Sequence, residues 1–541
     1  MKKYFIKNKL IFLCITLFAL ISSFGAVGIA YILQNIVDSA IKADLVVFKK
    51  MIVISIIYFL VFGVINYSYK FLISILAAKI IENIRADVFS FTITRDYESI
   101  IKNNMGHIIS LLSNDAKVIE DNYIRAIFSL IENIITFLIT LIAFIYISPK
   151  VTACLIIGVT FLGIIPNCIG SFLEKKQIAF SEKNAQFIRY IKDYLDGIEV
   201  IKSFSKEKFF REEFGYSNND VKKSKLSVDR VQAVGDSLSF IFGFLLMVIV
   251  IIVSAYQVLI GIFSLGTLIA LVQLSNTFVN PIIQLMGNIA RIKGCNKIVK
   301  KIEDSREDNR EDNIRFGDKA YIQKLISLKG ISYEVDKKRI LENINLNIEI
   351  GKKYLIIGQS GSGKSTLLKI VAGLIKNYHG EIYCDGKNIK EQQIDYYDEV
   401  SIVNQDVYIF GRSIQDNILL GSEEEKEKMQ EVIHISCLQE VIDKADNDEL
   451  GEHGKLLSGG EKQRIAIARA LYHKKSILLL DEITSSLDQQ MGKKIEKKLL
   501  SIKDLTVISV SHKIDEQNMN LYDGIIRIEN GHMEFIPVST G

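Results

Sequence analysis

One short stretch determines how the second half of this chain folds: Gly358-Gln359-Ser360-Gly361-Ser362-Gly363-Lys364-Ser365-Thr366. It fits the pattern G-x-x-x-x-G-K-[ST], and its neighbours supply the expected context. Lys353–Ile357 before it is short, apolar and β-branched, which predicts a strand, and Leu367–Ala372 after it predicts a helix. Glycines let the backbone curl until successive N–H groups point inward, and the helix N-terminus adds partial positive charge. The stretch therefore predicts a phosphate-binding loop, in which Lys364 reaches the β- and γ-phosphates and the Ser365 hydroxyl binds Mg²⁺.

The composition predicts a membrane part followed by a water-soluble part. The chain has 541 residues, 49% of them hydrophobic, which is more than one domain's worth of sequence. Long apolar runs alternate with polar segments up to about Asn288, and the sequence beyond Arg291 has an ordinary charged composition. A net charge of only +4 gives no indication of a nucleic-acid partner. The six cysteines are scattered without a C-x-x-C pair, so we expect neither a disulfide framework nor a cysteine metal site.

The apolar runs predict six transmembrane helices, because each is about as long as the roughly 20 residues that cross a bilayer. They cover approximately Leu10–Leu33, Met51–Leu76, Ile127–Ile147, Val151–Leu173, Leu238–Ile260 and Leu265–Asn288. The segments Ala77–Tyr123 and Glu174–Gly235 are too long for tight connections and keep helical periodicity. We therefore expect membrane helices to continue out of the bilayer, turn through a short helix and return. Lysine and arginine are concentrated in the N-terminus and in these two segments, which places them and the C-terminal half in the cytoplasm.

The sixth predicted span carries amide side chains at three- and four-residue spacing, which puts them on one helix face. They are Gln273, Asn276, Asn280, Gln284 and Asn288. In hydrocarbon such a polar stripe must face protein or water. Two interpretations are equally open: the stripe lines a translocation pathway, or it holds helices together within the bundle.

Two further motifs supply the remaining parts of a nucleotide site. Ser476–Asp481 predicts a buried strand that ends in two acids, of which Asp481 would hold the Mg²⁺ shell and Glu482 would poise a water for attack on the γ-phosphate. The segment Leu457-Ser458-Gly459-Gly460-Glu461 precedes a strongly helical run, and small residues before a helix again make an anion site. One nucleotide needs only one cradle. We therefore expect this second cradle to meet a nucleotide held by another copy of the protein.

With these motifs in this order, the chain resembles the ABC transporter family, in its exporter half-transporter form, over essentially its whole length. Gly358–Thr366 matches the Walker A loop, and Leu457–Glu461 matches the signature motif. Ile477–Asp481 with Glu482 matches Walker B and the catalytic glutamate. The resemblance implies ATP as the nucleotide and Mg²⁺ as its metal, with Ser365, Gln405 and Asp481 around the metal. It also implies four further roles: Tyr333 stacking on adenine, Gln405 in the Q-loop, Asp488 in the D-loop and His512 as the switch histidine.

The resemblance implies a fold and an assembly. Residues 1–300 would form an α-helical six-span transmembrane domain with long cytoplasmic extensions. Residues 301–324 would form a charged linker, and residues 325–541 an α/β P-loop NTPase domain, the ATP-binding cassette. The family works with twelve spans and two cassettes, so we expect a dimer, either of two copies or with a second half-transporter whose ATP site is unequal.

The implied function is ATP-driven export of a drug, peptide or lipid across the cytoplasmic membrane by alternating access. The cytoplasmic helices, docked near Gln405, would carry the motion of the cassettes to the membrane part. The remaining alternative is an ATP-gated regulator that does not pump, and the intact Glu482 and His512 argue against it.

Overall fold

A computed structural model of the chain describes residues 1–95, 97–102, 105–307, 322–335, 338–389, 391, 399–444, 450–483, 487–511 and 518–538. The chain divides into two compact units. The first comprises Met1–Phe91 and Gly106–Arg306, and the second comprises Thr92–Met105 and Glu307–Gly541.

The first unit is helical. Its helices are α1 (Lys2–Lys7), α2 (Lys9–Ile41), α3 (Leu45–Thr94), α4 (Tyr97–Lys102), α5 (Met105–Ser110), α6 (Ala116–Ile119), α7 (Arg125–Ile147), α8 (Pro149–Asp196), α9 (Ile198–Ser203), α10 (Glu207–Leu259), α11 (Leu265–Gly294) and α12 (Asn296–Glu307), of which α4 and the start of α5 belong to the second unit. Two π-helical turns, Leu111–Asp115 and Glu120–Ile124, flank α6 and make 108–147 nearly continuous helix.

Five helical stretches of the described chain are long and apolar enough to cross a membrane: Lys9–Ile41, Leu45–Thr94, Ile108–Ile147, Glu207–Leu259 and Leu265–Glu303. They contain five of the six predicted spans. The predicted fourth span, 151–173, lies within α8, which begins with the shorter apolar stretch Pro149–Gly158. The side chains of 159–171 lie outside the described part of the chain.

The helices extend far beyond the thickness of a bilayer, as predicted. At 1.5 Å per residue the 53 residues of α10 span about 80 Å, against about 30 Å for a hydrocarbon core. The short helix α9 connects α8 to α10, and Val200 and Phe204 at this turn are exposed. Helical continuation outside the membrane, with a short helix at the turn, is thereby confirmed for this pair.

Local chemistry sets where two of these helices begin. Ser148 caps α8, its Oγ accepting the Val151 N–H at 3.4 Å, and Pro149 occupies the first helical position. Ser264 caps α11 in the same way, accepting the Thr267 N–H at 3.0 Å. Each cap contributes about 1 kcal/mol.

The second unit contains two sheets, with strands β1 (Leu325–Val335), β2 (Lys338–Glu349), β3 (Lys353–Ile357), β4 (His379–Cys384), β5 (Lys387–Asn388), β6 (Val400–Val403), β7 (Ile477–Asp481), β8 (Thr506–Val510), β9 (Gly524–Glu529) and β10 (His532–Pro537). The larger sheet has the order β10-β9-β3-β8-β7-β6 and is parallel except for β10. The smaller sheet, β2-β1-β4-β5, is antiparallel. Its helices are α13 (Lys364–Val371), α14 (Ile414–Leu419), α15 (Lys426–Ile435), α16 (Gln439–Lys444), α17 (Gly459–Tyr472) and α18 (Gln489–Leu500).

The parallel strands β3, β7 and β8 are covered on both faces, which explains their continuous apolar sequences. Alternate residues of each strand enter different cores. Ile356 packs in a core with Leu367 of α13, whereas Leu355 packs in a core with Ile467 of α17 and Ile495 of α18. Helices therefore lie on both faces of the sheet, and the carboxyl ends of β3 and β7 meet at one edge. In such sheets ligands bind at that edge.

Residues 301–307, which the sequence analysis assigns to a charged linker, form the end of α12 in the structure. The remainder of that segment, 308–321, lies outside the described residues.

Candidate nucleotide-binding site

The loop between β3 and α13 depends on glycine at two positions. Gly358 has φ 155°, and a Cβ there would lie 2.2 Å from the carbonyl oxygen of Ile528. Gly363 has φ 104°, and its Cβ would lie 2.8 Å from Leu341 Cδ2. A side chain at either position would force the loop away from the sheet. The tight curl predicted from sequence is therefore built against β2 and β9.

Lys364 lies within the curl of this loop. The residue is 4% exposed, and its Nζ donates to the carbonyl oxygens of Gly358 at 3.0 Å and Gln359 at 2.7 Å. Burial lowers the pKa of the Lys364 ammonium, while the nearby Glu482 and Asp481 act in the opposite direction. The cation is thus held by loop carbonyls, which a stronger acceptor such as phosphate can replace.

The start of α13 leaves hydrogen-bond donors available for an anion. Gly363 occupies the N-cap position and offers no side-chain cap to the first turn. The Ser362 hydroxyl is buried and has no partner among the described residues. Gln359 and Ser360 are exposed at the tip of the loop, and Thr366 is half-buried in the first turn. An uncapped helix start, an orphaned hydroxyl and a buried ammonium together fit an anion with several oxygen acceptors, such as the phosphates of ATP.

Oxygen atoms from two elements converge beside this loop. Ser365 Oγ donates to Asp481 Oδ1 at 3.1 Å, and Asp481, at the end of β7, is 5% exposed. Burial raises the pKa of Asp481, and the Ser365 hydrogen bond opposes that shift. A buried carboxylate with an adjacent hydroxyl is the type of oxygen site that suits Mg²⁺ bound together with substrate phosphates. The residues present therefore fit the metal.

Glu482 follows directly and has an unusual backbone. Its φ of 53° lies in the left-handed region, which costs a residue other than glycine of the order of 1–3 kcal/mol. Its N–H donates to Val510 on β8 at 3.2 Å, and its Oε2 accepts from Gln405 Nε2 at 3.1 Å. The fold thus keeps the Glu482 backbone in an unfavourable conformation. It also brings the Gln405 and Glu482 side chains together in one site.

Tyr333 lies half-buried on β1 and packs against the core that contains α13. Its hydroxyl donates to Glu98 Oε1 on α4 at 3.5 Å. Burial raises the pKa of Tyr333, and the Glu98 carboxylate adds to that rise. Nothing in the sequence pattern points to Glu98, which is 235 positions away along the chain. No periodicity or motif connects two residues at such a separation.

The signature segment lies at the start of α17 and is capped by its own side chains. Ser458 Oγ accepts from the Glu461 N–H at 3.3 Å, and Glu461 Oε2 accepts from the Ser458 N–H at 2.7 Å. The backbone hydrogen bond from Ser458 lowers the pKa of Glu461. Leu457 packs into the helical core, whereas Ser458 and Gly459 are exposed. The segment therefore presents a small, preformed surface to solvent.

Two other predicted residues are accounted for separately. Asp488 caps α18, its Oδ1 accepting from the Met491 N–H at 2.8 Å. His512 lies outside the described residues.

The amide stripe of α11 divides into two parts. Gln284 Oε1 accepts from Asn133 of α7 at 3.3 Å, and Asn288 Nδ2 donates to Ser129 of α7 at 2.9 Å. Asn276 and Asn280 are exposed, and Gln273 is half-buried. One end of the stripe therefore contributes hydrogen bonds between α11 and α7, and the other end faces outward from this protomer.

The geometry at the carboxyl edge of the sheet is that of a P-loop nucleoside triphosphatase, and this chain joins it to membrane-spanning helices. ATP-driven membrane transporters combine these two parts. Residues 12–282 match the ABC transporter transmembrane region, and residues 341–485 match the family described as ABC transporter. The chain therefore belongs to the ABC transporter family.

Relatives cover nearly the whole chain. It is 25% identical to the ATP-dependent lipid A-core flippase of Pseudoalteromonas translucida, over 91% of this chain and 85% of that protein. It is 28% identical to the multidrug resistance-like ATP-binding protein MdlA of Buchnera aphidicola, over 95% and 90%. It is 26% identical to the lactococcin-A transport/processing ATP-binding protein LcnC of Lactococcus lactis, over 91% and 70%.

The fold is similar to the structure of a bacterial Atm1-family ABC exporter with ATP bound, with a TM-score of 0.81 and 18% sequence identity over 97% of this chain and 94% of that chain. A helical membrane domain followed by an ABC cassette, as predicted from the sequence, is confirmed. The protein is an ATPase coupled to export across a membrane.

Proposed function

We propose that the working exporter is a dimer of this chain in which each ATP lies between two copies. The phosphate loop of one copy would bind the nucleotide, and Ser458, Gly459 and Gly460 of the other copy would close over it. The observation that carries this proposal is that the signature segment is preformed, exposed and already capped by Glu461. Ser458 and Gly459 remain exposed at the positive end of α17, so this surface is available to a partner's nucleotide.

Within one copy, the phosphate loop supplies most of the binding. Its backbone N–H groups and the Ser362 hydroxyl would receive phosphate oxygens, and Lys364 would leave the loop carbonyls to contact the β- and γ-phosphates. Tyr333 would stack on adenine. Ser365, Gln405 and Asp481 would hold Mg²⁺, which would neutralise the negative charge that develops on the phosphates.

For hydrolysis, Glu482 would accept a proton from the attacking water. Gln405 donates a hydrogen bond to the Glu482 carboxylate, and the attacking water would replace Gln405 as the donor to this carboxylate. His512 would contact the γ-phosphate, and Asp488 would contact the partner cassette across the dimer. ATP binding would close the two cassettes and hydrolysis would let them open, a cycle of alternating access driven by a ligand that binds one state better.

We propose that the cassette and the long helical extensions lie in the cytoplasm, because basic residues are concentrated on that side of the predicted spans, and the host membrane would be the cytoplasmic membrane. The extensions α3, α8 and α10 would carry the motion of the cassettes into the bilayer. We propose an amphiphilic cargo, because the relatives are named for lipid A-core, multidrug and lactococcin transport. The neutral amides Asn276 and Asn280 would face that cargo, and Gln284 and Asn288 would hold α11 to α7.

This division of the stripe has its own test. Asn280→Leu should change how strongly amphiphiles stimulate ATP hydrolysis while leaving the thermal unfolding of the protein unchanged. Asn288→Leu should lower stability by about 0.6 kcal/mol, the average for a hydrogen bond between membrane helices, and leave stimulation intact. Unchanged stimulation in Asn280→Leu would remove that residue from the cargo pathway.

The function itself is tested by Mg²⁺-dependent ATP hydrolysis of the purified chain in lipid nanodiscs, with Glu482→Gln as the blank. Turnover above the blank is the expected result and would show that two copies suffice. If well-folded protein binds ATP without turning it over, a homodimer is excluded and a second half-transporter is required.

A further inference from the structure

Glu98 is a carboxylate that three donors share. Tyr333 donates its hydroxyl to Oε1 at 3.5 Å, and the backbone N–H groups of Lys376 and Asn377 donate to Oε2 at 3.2 Å each. Glu98 lies on α4, which forms one compact unit with the cassette.

The three donors come from two segments that lie side by side in the cassette, because Ser332 of β1 pairs with His379 of β4. Tyr333 is on β1, and its ring packs against the core that contains α13. Lys376 and Asn377 follow α13, the helix whose N-terminus begins at the phosphate loop. One carboxylate therefore fixes the aromatic ring proposed for adenine and the segment at the far end of the phosphate-binding helix.

The orientation of an aromatic ring determines how well it stacks on a base. Tyr333 is only half-buried, so core packing leaves its outer edge without support. The hydroxyl is the atom furthest from the backbone, and a hydrogen bond there restricts rotation of the ring about its side-chain torsions. Stacking uses the ring face and leaves the hydroxyl bond to Glu98 intact.

We propose that Glu98 is a positioning residue of the adenine site: it holds the Tyr333 ring in the orientation that stacks on the base. This inference rests on the proposed function, because it assigns the Glu98 contact to ATP recognition. Glu98 touches neither phosphate nor metal in this account, so its effect falls on adenine alone.

The test compares ATP with inorganic tripolyphosphate, which has the same phosphate chain and no base. Binding of both, with Mg²⁺, is measured on the full-length protein in nanodiscs in the Glu482→Gln background. Glu98→Ala should lower the affinity for ATP about threefold to tenfold, because part of the energy of one base–aromatic stack would be lost. The affinity for tripolyphosphate should stay within about twofold of that of the protein with Glu98 intact. With Glu482 intact, the KM for ATP should rise by the same factor while kcat at saturating ATP is kept.

Two further variants separate positioning from a general structural role. Glu98→Gln keeps an acceptor for the two backbone N–H groups and presents its amide to the Tyr333 hydroxyl oxygen, so it should restore ATP binding to within about twofold of wild type. Tyr333→Phe keeps the ring and removes the hydroxyl. Adding Glu98→Ala to it should weaken ATP binding by less than the sum of the two single effects.

The matched control is Glu381→Ala, which removes another carboxylate that accepts a tyrosine hydroxyl, that of Tyr383 at 2.6 Å. It should leave the KM for ATP unchanged. Equal weakening of ATP and tripolyphosphate by Glu98→Ala, or an unchanged KM, would overturn the inference. If the unsubstituted protein showed no turnover above the Glu482→Gln blank, the proposed function would fail instead, so the two failures are distinguishable.

Discussion

Two helices of the cassette begin at stretches rich in glycine and serine, and their first turns are built differently. The start of α13 has no side-chain cap, carries a serine hydroxyl (Ser362) that has no partner in the described part of the chain, and includes the buried Lys364. The start of α17 has a complete capping box made of Ser458 and Glu461. The first turn of α13 is therefore incomplete without an anion, whereas that of α17 is complete within the chain.

We propose that this difference divides one site between two chains. The half that binds ATP would keep its hydrogen-bond donors available and its lysine buried in the loop. The half that meets the bound nucleotide would present a rigid, exposed surface. We therefore expect changes at α13 to reduce binding and changes at α17 to reduce turnover.

The largest expected effect is at Glu482, which follows β7 and belongs to neither helix start; as the proposed general base it should affect turnover and not binding. Glu482→Gln should bind ATP as the unsubstituted protein does and hydrolyse it at least about a hundredfold more slowly, on the scale of losing a general base. Steady-state hydrolysis and ATP binding measure the two quantities. Glu534→Gln, an exposed glutamate 3.6 Å from Arg527, is the control. Turnover close to wild type in Glu482→Gln would remove this residue from the base role.

A change at Lys364, in the phosphate loop, should reduce the affinity for ATP. Lys364→Ala removes a charge-assisted contact worth about 1.5–3 kcal/mol, so the affinity for ATP should fall about tenfold to a hundredfold. Equilibrium binding of ATP to each variant provides the measurement. Lys352→Ala, which breaks only an exposed ion pair with Asp523, should bind normally. Normal ATP affinity in Lys364→Ala would contradict the proposal that the start of α13 is the part of the site that binds ATP.

A change at Gly460 should instead reduce turnover and leave the affinity for ATP nearly unchanged. Gly460→Asp places a negative charge where the partner's phosphate is expected, so turnover should fall at least about tenfold, since like-charge contacts cost several kcal/mol. ATP affinity should stay within about twofold, because the phosphate loop is untouched. Gly215→Asp, at an exposed helical glycine with open space around its Cβ position, is the matched control. A loss of affinity equal to that of Lys364→Ala would mean that both stretches bind the same nucleotide in one chain.

The smallest expected effect concerns the capping box. Glu461→Gln keeps an acceptor for the Ser458 N–H but replaces a charge-assisted hydrogen bond with a neutral one, so the free energy of unfolding at pH 7 should fall by about 1 kcal/mol. Because capping lowers the pKa of Glu461 in the folded chain, its contribution is complete above the pKa of an unfolded glutamate, about 4.3, and is lost as pH falls through the lower folded-state pKa.

The thermal stability of Glu461→Gln should therefore converge with that of the unsubstituted protein as the pH falls below about 4.3. Glu427→Gln, in the first turn of α15 without a capping box, should show no such convergence. A stability difference that is independent of pH would mean that the carboxylate is not the source of the cap.

The parts of the fold that the sequence predicts well are those in which one residue pattern has one physical cause. Lys353–Ile357 was predicted as a strand and forms β3 with the same bounds, and Ser476–Asp481 was predicted as a buried strand and forms β7 from Ile477, because parallel strands buried on both faces must be continuously apolar. The predicted span Ile127–Ile147 coincides with α7 within two residues at its start. The phosphate loop was predictable because its glycines are required by close backbone contacts.

Contacts between distant residues could not be predicted in the same way. The hydrogen bond from Gln405 to Glu482, the left-handed backbone at Glu482 and the three donors around Glu98 all depend on how elements pack. The amide stripe of α11 was visible in the sequence, but its hydrogen bonds to Ser129 and Asn133 were not. Helical periodicity shows which residues share one face of a helix, and it does not show which other helix packs against that face.

Purified mixed dimers can distinguish an ATP site shared between two copies from a site contained in one chain. One mixture pairs Lys364→Ala chains with Gly460→Asp chains, each carrying a different tag so that only mixed dimers are purified. The other mixture pairs unsubstituted chains with chains that carry both changes. A shared site predicts hydrolysis in the first mixture, which keeps one intact pair of halves, and loss of hydrolysis in the second. Hydrolysis in the second mixture alone would contradict the account, because it would place both halves of the site in a single chain.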